Sequence, residues 1–179
     1  LLGNHELLAA VVLPSLLRTM RQGEEQPLSK TEQEQMQKWI QNGGKPSILQ
    51  LLRLSGEEME IVCAYLRSLS AYEEVTVERR KFVLVHAGLE HFSITRPLEK
   101  YDLEDFLFCR PDLDTTYFPD KTLVFGHTPT RLLHRQIGEP EQPDRIFHRG
   151  TMIGLDCGCV YSGGRLGCLC LDTMEEFYV

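Results

Sequence analysis

The first half of the chain has the apolar spacing of helices. The stretch LLAAVVLPSLLRTM (residues 7–20) has helical length, and Pro14 within it predicts a kink or a restart of the helix. The capping-box sequences Ser29-Lys30-Thr31-Glu32 and Ser55-Gly56-Glu57-Glu58 each predict the start of a further helix. Asn42-Gly43-Gly44 predicts the end of the first of these.

The second half alternates short apolar runs with turns, which is typical of strands. A short helix is predicted at YDLEDFLFCR (residues 101–110), ending before Pro111. Seven segments predict strands: 75–80, 81–86, 121–127, 145–149, 151–160, 165–173 and 175–179. Helices before and between strands indicate an α/β fold. A length of 179 residues suits one domain, and the polar residues 21–30 predict a surface loop.

Composition and charge exclude several classes of function. The net charge of -7 argues against a nucleic-acid groove or a basic membrane-binding face, because both need clustered Lys and Arg. No apolar run approaches the roughly 18 residues of a membrane span, and no signal-peptide pattern opens the chain. The six cysteines of a chain this size, without an export signal, are expected to be reduced thiols. We therefore expect a cytoplasmic protein with neither nucleic acid nor membrane as a partner.

Three short motifs place histidines after apolar segments. Gly3-Asn4-His5-Glu6 follows an apolar stub, His86-Ala87-Gly88 follows FVLV, and Gly126-His127-Thr128-Pro129 follows TLVF. If all three segments are strands of one α/β sheet, their carboxyl ends form one pocket, where ligands usually bind. Imidazole nitrogens and an amide oxygen suit divalent metals such as Zn, Fe and Mn. One such histidine is more often a hydrogen-bonded core or loop residue, but three indicate a metal site.

The order GNHE, HAGL and GHTP resembles that of the calcineurin-like metallophosphoesterases. The chain is most similar to their branch of bacterial Ser/Thr protein phosphatases and symmetrical dinucleoside tetraphosphatases. LVFGHTPT and GLDCGCVYSGGRLGCLCLDT are similar to that branch in order and context. The resemblance runs nearly end to end and is weakest over residues 21–70.

This resemblance implies a four-layer α-β-β-α sandwich with mixed sheets, formed by one domain over residues 1–179. Residues 21–70 would be a helical, insertion-like segment within it. It also implies two divalent metal ions (Mn, Fe or Zn) and hydrolysis of phosphoesters by a metal-bridging hydroxide. Asn4, His86 and His127 match the family's ligands to the second metal, and His5 matches its general acid.

Two family motifs are missing from the chain. The resemblance predicts an Asp-x-His pair for the first metal and a GDxxDR segment with a bridging Asp, both upstream of GNHE. Neither occurs in the sequence. We therefore expect LLGNHE to be the end of a strand within a larger domain whose first strands are missing here. Two imidazoles and an amide form a poor isolated site, so we expect this piece alone to be nearly inactive.

The substrate is left open by the sequence. A phosphorylated protein is the first expectation, and a small phosphoester such as a dinucleoside polyphosphate, cleaved symmetrically, is an alternative. A second alternative is an inactive or non-catalytic binding domain that lacks half of the dinuclear site. The oligomeric state is not predicted.

Three further residues have both a functional and a structural interpretation. Arg110 matches the interval in which the family places a phosphate-binding Arg, although it also suits a helix C-terminus paired with Asp105. Arg96 is a weaker candidate because Pro97 and its loop suit a structural role equally well. Tyr161 either lines the substrate site or belongs to a hairpin turn.

Four cysteines near the end of the chain raise the question of a zinc site. If Gly163-Gly164 is a two-residue hairpin turn, Cys159 faces Cys168 and Cys157 faces Cys170, so that all four lie on one face. Four thiolates there would bind zinc. We favour the alternative that they are small buried core residues.

Overall fold

The structure is a computed structural model that describes residues 1–22, 27–141 and 144–179. These residues divide into two compact units, one of Leu2–Ser70 and one of Leu1 with Ala71–Val179. The helical segment expected over residues 21–70 belongs to the first unit, which already begins at Leu2. The loop predicted over residues 21–30 falls partly on residues 23–26, which lie outside the described residues. Within the described ranges, no helix has the length and apolar character needed to cross a bilayer.

The unit of Leu2–Ser70 is helical. Its described residues form α1 (Asn4–Gln22), α2 (Lys30–Gln41), α3 (Lys45–Leu51) and α4 (Gly56–Ser68). Helix α1 packs against both α2 and α4. It continues through Pro14, so the restart of the helix does not occur. The adjacent Val12 and Leu13 are fully buried, and this packing offsets the backbone donor that Pro14 removes.

Both predicted capping boxes form. The Ser29 hydroxyl accepts the Glu32 backbone N–H while the Glu32 carboxylate accepts the Ser29 N–H, and Ser55 and Glu58 make the same pair of bonds. Gly43 ends α2 with a positive φ of 90°, as its Asn-Gly-Gly sequence predicts. Helix α3 was not predicted, because its 7 residues are too few to show a helical period.

Glu32 also connects α2 to α1. Its carboxylate accepts a hydrogen bond from the hydroxyl of Ser15 on α1. This bond and those from Ser29 lower the pKa of Glu32 from 4.5 to about 2. A carboxyl with a lowered folded-state pKa stabilises the fold above its unfolded pKa and loses that contribution as pH falls. The link between α1 and α2 is therefore expected to weaken between pH 4.5 and about 2.

The second unit is built on a mixed five-stranded sheet in the order β1-β2-β3-β5-β4. Its strands are β1 (Tyr72–Val77), β2 (Arg80–Val85), β3 (Thr122–Phe125), β4 (Phe147–Arg149) and β5 (Met152–Gly154). The pairs β2–β3 and β3–β5 are parallel, whereas β1–β2 and β4–β5 are antiparallel. Strands β6 (Gly167–Leu169) and β7 (Glu176–Tyr178) form a separate antiparallel pair. The predicted α/β class is confirmed at this level.

Helices and loops connect the strands of this sheet. A 3-10 turn (Leu98–Lys100) and α5 (Leu103–Leu107) lie between β2 and β3, and α6 (Thr130–Gln136) follows β3. Helix α5 is the short helix that the sequence predicts before Pro111. All the predicted strand segments contain strands; β1 and β2 match their segments in length but begin earlier in the chain, and the later strands are shorter than their segments.

The strand expected at the start of the chain is the exception. Residues 1–3 have no regular structure, and Asn4 already belongs to the first turn of α1. The Leu2 N–H donates to the Ser70 carbonyl at 2.8 Å, but among the described residues this stub joins no strand ladder. The prediction that LLGNHE ends a strand is therefore wrong for this structure.

The close contact between Gly44 and Trp39 gives a stability prediction. In Gly44→Ala the new methyl carbon would lie 2.2 Å from Cδ1 and 2.3 Å from Nε1 of Trp39, which is only 2% exposed. We expect the free energy of unfolding to fall by about 1–3 kcal/mol, as for other overpacked cores. Urea denaturation followed by far-UV circular dichroism measures it.

Gly56→Ala is the matched control. Its methyl group would meet nothing closer than 3.9 Å, and the residue begins α4. Alanine is the better helix former, so this variant should be as stable as the original or slightly more stable. Equal destabilisation by the two changes would contradict the steric explanation.

Candidate metal centre

Two histidines follow the carboxyl ends of neighbouring parallel strands. Strands β2 and β3 run in parallel register, with Leu84 opposite Val124. Each strand ends within one or two residues of its histidine, His86 after Val85 and His127 after Phe125 and Gly126. The Gly126 N–H donates to the His86 carbonyl at 2.8 Å, which aligns the two ends. Parallel pairing therefore brings together side chains that are 41 residues apart in sequence.

The two imidazoles are in direct contact. His86 Nε2 lies 3.2 Å from His127 Nδ1, and the ring centroids are 4.9 Å apart. His127 has a φ of 61°, and the Thr128 N–H donates to the Gly126 carbonyl across it at 2.6 Å. A three-residue turn with positive φ at a non-glycine residue is strained. The fold thus holds His127 in an unfavourable backbone conformation that turns its ring toward His86.

The separation of the two nitrogens fits a shared metal ion. Two ligands that each lie about 2.0–2.1 Å from one ion are about 2.8–3.4 Å apart, the lower end in octahedral and the upper end in tetrahedral geometry. The observed 3.2 Å falls in this range. Imidazole nitrogens suit borderline ions such as Zn, Fe and Mn. His86 through Nε2 and His127 through Nδ1 therefore form a pair able to hold one divalent ion.

The loop of residues 86–91, called the histidine loop, is attached to α5 and to the residues that follow α5. The N–H groups of Ala87 and Glu90 donate to the carbonyls of Phe106 and Asp105, each at 2.9 Å. Gly88 approaches so closely that a Cβ on it would lie 3.0 Å from Cys109 Sγ. Burial raises the pKa of the Cys109 thiol to about 11, so this side chain stays neutral and apolar.

An apolar hollow lies beside the histidine pair. Its volume is about 260 Å³, and it opens at the carboxyl ends of β2 and β3. The residues that line it are Leu1, Leu84, Val85, His86, Val124, Phe125, Gly126 and Leu155. It adds room next to His86 but no charged group.

Asn4 and His5 belong to the helical unit. Both lie in the first turn of α1, where Asn4 is buried and His5 is half-buried. The structure therefore brings together two of the four histidine-motif residues, His86 and His127, within one unit. GNHE lacks a capping box, so no local signal predicts that Asn4 and His5 begin a helix.

The two arginine candidates differ in their contacts. Arg96 donates to the Lys100 carbonyl, stacks at 4.0 Å on the ring of Tyr101 and lies 3.6 Å from Asp105. These contacts give it the structural role. Arg110 is exposed and forms no ion pair with any described residue, so the alternative that it pairs with Asp105 is not supported. The side chains of Arg96 and His91 lie beside Asp105 instead.

Segment 109–111 carries Arg110 beside the loop of His86. The Cβ position of Gly88 is 3.0 Å from Cys109 and 3.6 Å from the nitrogen of Pro111, the two neighbours of Arg110. The sequence separation between Gly88 and Arg110 conceals this proximity. An exposed guanidinium next to the histidine loop is able to bind an oxyanion.

Tyr161 lies in a turn rather than over the histidine pair. Its carbonyl accepts the Gly164 N–H at 3.0 Å, and its N–H donates to the Gly158 carbonyl at 2.9 Å. The Arg131 guanidinium lies 5.0 Å from the centre of its ring. Of the two interpretations, the turn is the one these contacts support.

The hairpin expected at Gly163-Gly164 does not form, and the four cysteines do not share a face. Gly158 pairs in parallel with Arg165, while Cys168 pairs with Phe177 across β6 and β7. Cys157 is buried, but Cys159 and Cys168 are exposed, so the core interpretation holds only for Cys157. Among the residues described, no cluster of three possible metal ligands includes a cysteine.

No protein-family model matches this chain, and no curated protein matches its sequence significantly.

Gly88→Ala should disturb the histidine loop. Its methyl group would press on Cys109 Sγ at 3.0 Å, and its φ of 156° disfavours a side chain. We expect a loss of about 1–3 kcal/mol in the free energy of unfolding. Urea denaturation measures this loss, and NMR of the His86 ring checks that the loop has shifted. In Gly126→Ala the nearest contact of the new methyl group is the His86 carbonyl at 3.5 Å. This variant should change the free energy of unfolding and the NMR signals of the His86 ring much less. A larger effect of Gly126→Ala would contradict this prediction.

The cysteines should differ in reactivity. Hydrogen bonds, first from the Thr173 hydroxyl and then from the N–H groups of Thr173 and Asp172, lower the pKa of Cys170, whereas burial raises that of Cys109. Thiolate is the reactive form, so Cys170 should be alkylated by iodoacetamide at a lower pH than Cys109. Peptide mass spectrometry across a pH series measures the rates, and Thr173→Val should shift the Cys170 profile to higher pH. An unchanged profile in that variant would contradict the assignment.

Proposed function

We propose that this chain carries part of the catalytic centre of a metal-dependent phosphoester hydrolase of the calcineurin-like type. The observation that carries the proposal is the 3.2 Å separation of His86 Nε2 and His127 Nδ1 at neighbouring parallel strand ends. The motif order GNHE, HAGL and GHTP supports it. The mixed sheet is compatible with the four-layer metallophosphatase sandwich, which we include in the proposal.

His86, His127 and Asn4 would hold one of two divalent ions, Mn, Fe or Zn. Bound divalent ions supply hydroxide near neutral pH and stabilise charge on the phosphoryl oxygens. The imidazole rings serve as neutral ligands, which requires both facing nitrogens to be unprotonated. The bridging carboxylate and the ligands of the other ion belong to motifs that this sequence does not contain.

The remaining roles fall to His5 and Arg110. His5 would hold a proton and donate it to the leaving oxygen, as a general acid. Arg110, exposed beside the loop of His86, would bind the phosphoryl oxygens through its planar guanidinium. We infer that the substrate is a phosphorylated protein and that this chain is located in the cytoplasm.

The test compares this chain with the product of the same gene read upstream to its first Met codon, which the proposal expects to add Asp-x-His and GDxxDR segments. With Mn²⁺ and p-nitrophenyl phosphate, the longer protein should turn over, and the 179-residue chain should stay near background. His5→Asn in the longer protein should lower kcat by about 10²–10⁴-fold, the usual contribution of a general acid. His148→Asn is the matched control, because His148 is exposed and outside the three motifs.

The outcomes separate the alternatives. Faster turnover of a phosphopeptide than of diadenosine tetraphosphate supports the phosphoprotein assignment, and the reverse supports symmetrical dinucleotide cleavage. A longer protein that binds no metal and is inert would contradict hydrolysis altogether and favour a non-catalytic binding domain.

A further inference from the structure

A second group of metal-ligating side chains lies at the end of the histidine loop. Glu90 and His91 end this loop, and Asp105 lies on α5 directly beneath them, joined by the hydrogen bond from the Glu90 N–H to the Asp105 carbonyl at 2.9 Å. One ligand atom of each of the three side chains lies within 4.8 Å of the others. Among the described residues, Glu90, His91 and Asp105 form a group of three His, Cys, Asp or Glu side chains close enough to hold one metal ion.

Asp105 is the buried member of the group. The residue is 9% exposed, and its Oδ2 accepts the Asp102 N–H at 3.0 Å as part of the capping box of α5. Its Oδ1 accepts no hydrogen bond from any residue the structure describes, and its contact is His91 Nδ1 at 3.5 Å. The Asp105 side chain is 13% exposed, and Oδ1 is not among the buried polar atoms that lack a partner, so this oxygen is open to water or to a cation.

The distance between His91 and Asp105 suits an ion between them better than a direct bond. A charge-assisted N–H···O bond is about 2.7–2.9 Å long. Two ligands on a tetrahedral ion with bonds of about 2.0–2.1 Å are about 3.3–3.4 Å apart. The observed 3.5 Å is close to the second value. Glu90 and His91 are exposed, so small side-chain rotations bring their ligand atoms closer.

Arg96 does not occupy this position. It lies 3.6 Å from Oδ2, the oxygen used by the helix cap, and not from Oδ1. Its guanidinium is held by the Lys100 carbonyl and the Tyr101 ring. Glu90 and Asp105 together carry two negative charges, so one remains to attract a cation after Arg96 is counted.

We propose that Glu90, His91 and Asp105 bind a single divalent cation of the Zn²⁺ class, separate from the His86–His127 pair. One imidazole nitrogen and two carboxylate oxygens are ligands that Zn²⁺ takes in proteins, with water completing the coordination. Because the ligands come from the histidine loop and from α5, the ion ties these two segments together. Its binding free energy adds to the stability of the folded unit.

The test uses the full, tag-free chain and Zn²⁺ alone. Isothermal titration calorimetry is done on the original protein, on the double variant H86A/H127A and on that variant with His91→Ala added. The double variant should still bind Zn²⁺, and adding His91→Ala should weaken this binding by more than the roughly 10–100-fold that loss of an outer-shell partner costs. His148→Ala in place of His91→Ala is the matched control, because His148 is an exposed histidine paired with Glu176.

Several outcomes distinguish this proposal from the function proposed above. Zn²⁺ retained by H86A/H127A and lost with His91→Ala supports the second site even if the chain belongs to no hydrolase. Zn²⁺ lost in H86A/H127A but retained in His91→Ala alone overturns the second site and leaves the histidine pair intact. Loss with His148→Ala equal to that with His91→Ala also overturns it.

Circular dichroism and thermal melting check that loss of Zn²⁺ binding is not caused by misfolding. The His91 side chain is 76% exposed, so His91→Ala should keep its far-UV circular dichroism spectrum and melting temperature without metal. Zn²⁺ should raise the melting temperature of H86A/H127A and not that of the variant that also carries His91→Ala. A rise of equal size in both would overturn the proposal.

Discussion

The parallel pairing of β2 with β3 is the constraint on which the candidate site depends. It brings the ends of two strands side by side, and the bond from the Gly126 N–H to the His86 carbonyl fixes their relative height. Only then does the strained turn at His127 bring its Nδ1 within 3.2 Å of His86 Nε2. Strain at a functional position persists when the surrounding structure determines it. Here β3 pairs with β2 on one side and with β5 on the other, and this pairing fixes the strand end from which the turn at His127 starts.

The loop after His86 links this pair to the rest of the unit. Two backbone hydrogen bonds and the close approach of Gly88 to Cys109 hold it against α5 and the residues that follow. The same attachment carries Arg110 beside the loop and places Asp105 beneath Glu90 and His91. One packing arrangement therefore supports both proposals: a phosphate-binding arginine near the histidine pair and a separate cation site that would reinforce the attachment. The two remain independent experimentally because they use different ligands.

Much of the fold was predictable from local patterns. The capping boxes at Ser29 and Ser55 start helices because their hydrogen bonds form within four residues, and they do so here. The apolar runs before His86 and His127 become strands for a similarly local reason: each is too short for a helix and suits a buried strand. Predictions that needed a partner elsewhere in the chain fared less well. The hairpin considered at Gly163-Gly164 does not form, since β6 pairs with β7, and the alternative pairing of Arg110 with Asp105 is not seen, since Arg96 and His91 lie beside that carboxylate.

By itself the sequence predicted most of the helices and strands, because capping and periodicity are local properties, and it supplied the motif order that supports the proposed function. It also determined that Asp-x-His and GDxxDR are missing. Tertiary structure alone decided which distant residues meet: His86 with His127, Gly88 with Cys109, and His91 with Asp105. It also decided that Asn4 and His5 begin a helix rather than end a strand. The physical reason is that strand pairing and side-chain packing join residues through space, and a pattern along one segment does not contain its partner.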